Sequence, residues 1–258
     1  MTARTIVFLM YHELELPGRP LVQSEPGYVR YIVPQSSFRA QIDWLKQNNW
    51  QGLSVSEALH YPSEKSIGIT FDDGCETDLI AAAPMLKEAG LHATFYVTAG
   101  FLDKPGYMSP SQLRELSSSF EIGCHSMTHP YLDDLDPGLL QNEIVGARSR
   151  LEDIIGSKVE HFSCPGGRYD ERALALAKES GYRSVATSRP HPNSPSTDPF
   201  QLGRVVVMRD TNDFAFSQIC SASGLWKTRF GESTRSFARI ILGNKIYDQV
   251  RGRLLRER

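Results

Sequence analysis

An α/β fold, in the form of an irregular (β/α) barrel of about seven parallel strands, is what this sequence predicts. Short apolar runs alternate with amphipathic segments along most of the 258 residues. Turn-forming and capping residues punctuate them at helix-like intervals. Reactive side chains follow directly after the apolar runs, which is where a parallel α/β fold gathers its chemistry. With 40% hydrophobic and 22% charged residues the chain can bury one full core.

The first strand is the run from Thr5 to Tyr11. An irregular stretch from Glu13 to Val33 follows, broken by Pro17, Gly18, Pro20, Pro26 and Gly27. Its length suits either a lid or binding loop, or a plain surface excursion. Ile67 to Phe71 is the second strand, and its helix stops at Gly90 after Lys87-Glu88-Ala89. Ala93 to Thr98 is the third. Ser109-Pro110-Ser111-Gln112 then carries an N-cap, a first-turn proline and a capping-box glutamine. Phe120 to Cys124 is the fourth strand, and Asp136-Pro137 opens a helix over Leu139 to Ile155 in the same way. Val159 to Cys164, Ser184 to Ala186 and Leu202 to Val207 complete the set, with a helix ending at Gly181 and a Pro-rich loop from Arg189 to Phe200 between them.

Residues 1–232 read as one domain and 233–258 as an added C-terminal helix. Phe237, Ile240, Ile241, Ile246, Tyr247, Val250, Leu254 and Leu255 recur there at helical spacing, among seven basic and two acidic residues. Such a helix either touches an anionic membrane peripherally or caps the barrel with its arginines in water. The net charge of −2 gives no pull toward nucleic acid, and no run approaches the roughly 20 apolar residues of a membrane span. Thr5 to Met10 is followed at once by His12, Glu13 and Glu15, so a signal peptide is not expected. Cys75, Cys124, Cys164 and Cys220 show no paired spacing, which fits reduced thiols in a cytoplasmic setting.

Two clusters carry the chemistry. Asp72-Asp73 ends an apolar strand, where two carboxylates are expensive to desolvate without a cation or a proton. His125-Ser126-Met127-Thr128-His129 supplies two imidazoles four residues apart. One carboxylate with two imidazoles leaves positions open on a divalent metal, and the other carboxylate is free to act as a base, so a hydrolase site is expected.

Thr70-Phe71-Asp72-Asp73-Gly74 and His125-x-x-x-His129, in this order on successive strand ends, resemble the NodB-homology polysaccharide deacetylases. The resemblance runs from about Ile67 to Val207, and Gly90 to Val97 looks like the family's next strand. Leu9-Met10-Tyr11-His12 resembles a branch found beside polysaccharide-assembly genes. The resemblance implies Asp73, His125 and His129 as metal ligands, Asp72 as general base, and the Gly166 N–H as an oxyanion donor. Zinc suits those ligands, with cobalt, nickel, manganese or iron as alternatives. It implies removal of an N-acetyl group from an amino sugar in a polysaccharide or a lipid-linked saccharide. The alternatives are an O-acetyl ester, a non-sugar amide, or a non-catalytic glycan-binding role.

The sequence departs from the family twice. Ser163 stands where many members carry arginine, in Phe162-Ser163-Cys164-Pro165-Gly166-Gly167-Arg168-Tyr169. Arg168 either substitutes or pairs with Asp170, and Arg168 and Tyr169 are candidate substrate contacts. The late Leu-x-His motif is absent, so His12, or else His191, is the expected acid. Arg204 is read as a substrate contact or a charge partner within the site. His60, His92 and His161 are given no role.

Overall fold

The structure, a computed structural model, describes residues 5–60, 63–223 and 225. The expected C-terminal helix lies outside those residues. In chain order they form β1 (Val7–Tyr11), β2 (Leu14–Glu15), α1 (Pro26–Val29), β3 (Val33–Pro34), α2 (Gln35–Gln47), β4 (Gln51–Leu53), α3 (Val55–His60) and β5 (Ser66–Phe71). A π-turn over Asp78–Ala82 leads to α4 (Ala83–Ala89), β6 (Thr94–Val97), α5 (Pro110–Ser117) and β7 (Glu121–Cys124). Then come α6 (Pro137–Gln141), α7 (Ala147–Ile155), β8 (His161–Ser163), α8 (Glu171–Glu179), β9 (Ser184–Ala186), β10 (Arg204–Val206) and α9 (Asp213–Cys220).

Parallel pairing runs β10-β1-β5-β6-β7-β8-β9. The ends of that row meet through a parallel bridge from Ala186 to Leu202, where the Thr187 N–H donates to Leu202 O at 2.8 Å. The result is a nearly closed barrel of seven strands. β4 pairs with β5 at Ser66 to Gly68, whereas β6 pairs with it only at Thr70 and Phe71, which makes the barrel irregular. The seven expected strands all form. β4 and the β2–β3 pair, two or three residues each, are too short to leave a periodic signal. The helix expected over Leu139 to Ile155 divides into α6 and α7 around a π-turn at Asn142–Gly146, which keeps the helical pattern while inserting a residue. The capping box of α5 is present, with the Gln112 N–H on Ser109 Oγ at 3.2 Å and the Ser109 N–H on Gln112 Oε1 at 2.8 Å.

Alternation along each strand separates two cores. Val7, Leu9 and Tyr11 of β1 join the large core beneath the helices, as do Ile67, Ile69 and Phe71 of β5. Phe8 belongs to the smaller core with Tyr96, Ala186 and Leu202 inside the ring. Interior space is tight: a Cβ on Gly68 would stand 2.1 Å from the Phe8 ring, and one on Gly123 would stand 2.3 Å from Tyr96. At the barrel's amino-terminal mouth Glu121 accepts from the N–H groups of Val55 and Ser56 at 3.0 and 3.3 Å, and closes that end.

Gly68→Ala is therefore expected to lower stability by about 1–3 kcal/mol through overpacking against Phe8. Urea unfolding would read this as a lower midpoint at unchanged slope; an unchanged midpoint would mean that the interior has room to spare.

Candidate active site

Asp72 continues the inward face of β5 set by Gly68 and Thr70, and its N–H donates to Tyr11 O at 2.9 Å. The chain then turns sharply, with Asp73 at φ +82° and Gly74 at φ +82°. A non-glycine residue in this region stores strain of order 1–3 kcal/mol. The turn places successive carboxylates in one pocket instead of on opposite faces. On β7 the inward face of Glu121 and Gly123 continues into His125, while Ser126 and His129 also adopt positive φ, +68° and +66°.

Asp73 Oδ1 lies 3.6 Å from His125 Nε2 and 3.4 Å from His129 Nε2. All three candidate ligand atoms lie within 4.8 Å of one another. Two ligands, each about 2.0–2.2 Å from one tetrahedral ion, stand roughly 3.3–3.6 Å apart. Asp73 Oδ1 is also buried with no hydrogen-bond partner, as an atom reserved for a cation would be. His125 Nδ1 lies 2.9 Å from Ser163 O, which turns the Nε2 lone pair toward Asp73. Burial pushes the His125 imidazole down to about 4, against the pull of Asp72, so it is neutral at pH 7 as a ligand must be. The donor set fits a divalent metal.

A third carboxylate holds the histidine loop. Glu143, from the π-turn between α6 and α7, accepts from the Met127 N–H at 2.8 Å, the Thr128 N–H at 2.7 Å and the Thr128 hydroxyl at 2.7 Å. The His129 N–H donates to Ser126 Oγ at 3.0 Å. Glu143 left no sequence signal, because its spacing from the histidines has meaning only after the chain folds back.

Asp72 is gripped by Arg204. Nη1 donates to Asp72 Oδ1 at 2.6 Å and Nη2 to Oδ2 at 2.7 Å. Nη2 also reaches Ser163 Oγ at 2.7 Å, and Nε donates to Thr187 O at 3.0 Å. In the sheet Arg204 is level with Phe8, and Phe8 with Gly68, so its side chain climbs the barrel interior to reach Asp72. It is 1% exposed and bonded on all sides within the protein, which makes it a charge partner of Asp72. Burial opposes ionisation of Asp72, but Arg204 and then His125 hold its carboxyl well below the usual carboxylate range.

Arg168 does neither thing expected of it. It is buried and pairs with Asp133 at 3.1 Å and Asp134 at 2.8 Å beneath the Tyr131 ring. Asp170 instead caps α8 through the Ala173 N–H and pairs with Arg172 at 2.7 Å. Tyr169 packs partly buried against the large core, with the Arg189 guanidinium 5.3 Å from its ring centre. Gly166 sits at φ +57°, where a Cβ would stand 2.6 Å from Tyr131. His12 follows β1 with Nδ1 buried and without a hydrogen-bond partner, its ring 5.4 Å from that of Tyr31. Burial lowers its pKa, while Asp73 and Asp72 act the other way. His191 packs on Gly203 at the start of β10, away from the end of the barrel that holds Asp72. Cys124 and Cys164 belong to the large core, and burial raises both thiols, so neither offers a thiolate. Tyr28, unforeseen from the sequence, donates its hydroxyl to Asp73 Oδ2 at 3.0 Å.

The YxkH protein of Bacillus subtilis (strain 168), named for the polysaccharide deacetylases, is 30% identical over 191 residues, spanning 71% of this chain and 68% of its own. The profile described as polysaccharide deacetylase matches residues 60–185. The chain belongs to the polysaccharide deacetylase family. Among the family's similar members, a peptidoglycan-N-acetylglucosamine deacetylase of Bacillus cereus is 31% identical over 127 residues, 49% of this chain and 58% of its own. The fold matches the Streptococcus pyogenes deacetylase PplD, solved in complex with acetate, at a TM-score of 0.76 and 23% identity, over 85% of this chain and 99% of that one.

For a polysaccharide deacetylase family member, the first departure is met from another strand. From β8 Ser163 offers Asp72 only a hydroxyl, donated to Oδ2 at 3.3 Å, and the arginine arrives from β10, its Nη2 bonded to the same Ser163 Oγ.

Arg204→Gln is expected to cost about 3–5 kcal/mol at pH 7 by leaving a buried carboxylate uncompensated. In the wild type, Asp72 has a depressed pKa, so its contribution is present above the unfolded value near 4 and lost only as pH falls through the folded value. In the variant burial raises that pKa, so the deficit shrinks below about pH 4. Urea unfolding at both pH values measures this; a deficit that ignores pH would mean that Arg204 does not hold the Asp72 charge.

Proposed function

We propose that this protein is a metal-dependent hydrolase that removes an N-acetyl group from an amino sugar in a polysaccharide or lipid-linked saccharide. One observation carries the reading: an ionised, buried Asp72 stands beside a cluster of two histidines and one carboxylate, with Asp72 Oδ2 3.8 Å from His125 Nε2. The acetamido-sugar substrate is supported by the Bacillus cereus relative, a peptidoglycan-N-acetylglucosamine deacetylase. Among the described residues, no helix is long and apolar enough to cross a membrane. The four cysteines are all free, which supports the cytoplasmic setting included in this reading.

Asp73, His125 and His129 would hold the metal, with zinc the ion that best suits them. When bound, a divalent ion there supplies Lewis acidity toward water and toward the amide carbonyl. Asp72 accepts the proton of the attacking water, and Arg204 keeps it ionised and aimed for that task. The Gly166 N–H donates to the oxyanion as the carbonyl carbon becomes tetrahedral. His12 returns a proton to the departing nitrogen. Its place just past β1, with Nδ1 buried and unpartnered, supports that role over His191.

His125→Ala is expected to abolish metal binding and activity together, whereas Asp72→Asn keeps the metal and loses a factor of roughly 10² or more in rate. Elemental analysis beside turnover separates the two, and equal metal loss in both variants would refute the division of roles. His12→Ala is expected to slow amide cleavage far more than cleavage of activated esters, whose leaving groups need no proton, at unchanged metal content. Equal losses on both substrate types would reduce His12 to a spacer.

A further inference from the structure

The two oxygens of Asp73 meet different surroundings. Oδ1 faces His125 and His129 and has no hydrogen-bond partner. Oδ2 accepts the Tyr28 hydroxyl at 3.0 Å. A carboxylate free to rotate would offer either oxygen, or both, to an ion. With Oδ2 engaged by a neutral donor, Asp73 presents one oxygen in one direction.

Tyr28 does not belong to the barrel wall. It sits on α1, a single turn within the long excursion between β1 and α2. That excursion is tied down at its margins. Glu13 accepts the Val22 N–H at 3.0 Å, and Arg19 pairs with Glu76, which Gln112 also holds at 2.7 Å. On the far side Arg209 donates its N–H to Arg30 O at 2.9 Å and pairs with Glu15 at 2.6 Å. Among the described residues of the excursion, only Tyr28 hydrogen-bonds to a side chain of the Asp73–His125–His129 cluster.

Resting on the metal reading above, we propose that Tyr28 is a positioning residue: it fixes Asp73 as a one-oxygen ligand and thereby couples metal occupancy to the order of the segment from Leu16 to Tyr31. Groups that orient a ligand from behind typically set metal affinity by 10- to 100-fold. Linkage is reciprocal, so a bound ion that draws on Asp73 also steadies the turn that carries Tyr28.

The test is Zn2+ binding to the full chain, measured by competition with a chromophoric chelator, for the wild type and Tyr28→Phe. The expected result is a dissociation constant raised about 10- to 100-fold in the variant, with an unchanged melting temperature for the metal-free protein. Equal affinity in the two proteins overturns this proposal alone. Failure of the wild type itself to bind Zn2+ overturns the metal reading and this proposal with it. Hydrogen exchange over residues 16–31 of the wild type provides a second readout that needs no variant. Added Zn2+ is expected to slow exchange there, and unchanged exchange overturns the coupling even if Tyr28→Phe fails to fold.

Discussion

Arg204 and Asp72 form the interaction on which the rest of the site depends. Two charges inside a barrel lose several kcal/mol each in hydration, and their attraction offsets this only where the remaining donors are also satisfied. Here the guanidinium forks onto both carboxylate oxygens, and its spare donors go to Ser163, Thr70 and the Thr187 carbonyl. Deprived of this partner, a carboxylate at the depth of Asp72 would hold a proton and lose its value as a base. The pair also joins architecture to chemistry. Arg204 opens β10, the strand that lies between β1 and the bridge to β9, so closing the ring and pairing Asp72 are one event.

The barrel strands and the convergence of Asp73, His125 and His129 were legible in the sequence because each rests on local information. Runs such as Ile67 to Phe71 carry their own periodicity, and Asp73, His125 and His129 follow directly on strands whose direction fixes where their ends gather. Arg204 was visible only as a candidate, since strand parity sends it inward but says nothing of how far its side chain climbs. Arg168 misled because it follows the Pro165-Gly166-Gly167 turn closely in sequence. In three dimensions Asp133 and Asp134, on the loop after the second histidine, take it first. Tyr28 and Glu143 were out of reach for another reason: both act through contacts made by segments with no regular pattern, an irregular excursion and a π-turn.

Strain is concentrated where these contacts converge. Asp73, Ser126 and His129 all hold positive φ without being glycine, and each lies within the cluster or directly beside it. Such backbone persists only when surroundings over-determine it. Glu143 does so for the histidine loop with three hydrogen bonds, and the Tyr28 hydroxyl meets Asp73 from the other side. The site is thus held in shape by groups that have no need to touch a substrate.

The separation of Asp72 and Arg204 along the chain, 132 residues, has a consequence for how the protein is born. A ribosome releases the amino-terminal part first, at about 5–20 residues per second, so β5 waits several seconds or longer before β10 exists. Throughout that interval Asp72 lacks its counter-charge and remains hydrated or protonated, and the half-made sheet keeps an open edge where β10 will dock. The ion pair is therefore a late acquisition of the nascent chain, and a chain halted before Arg204 carries the whole Asp-His-His constellation with Asp72 still lacking its counter-charge.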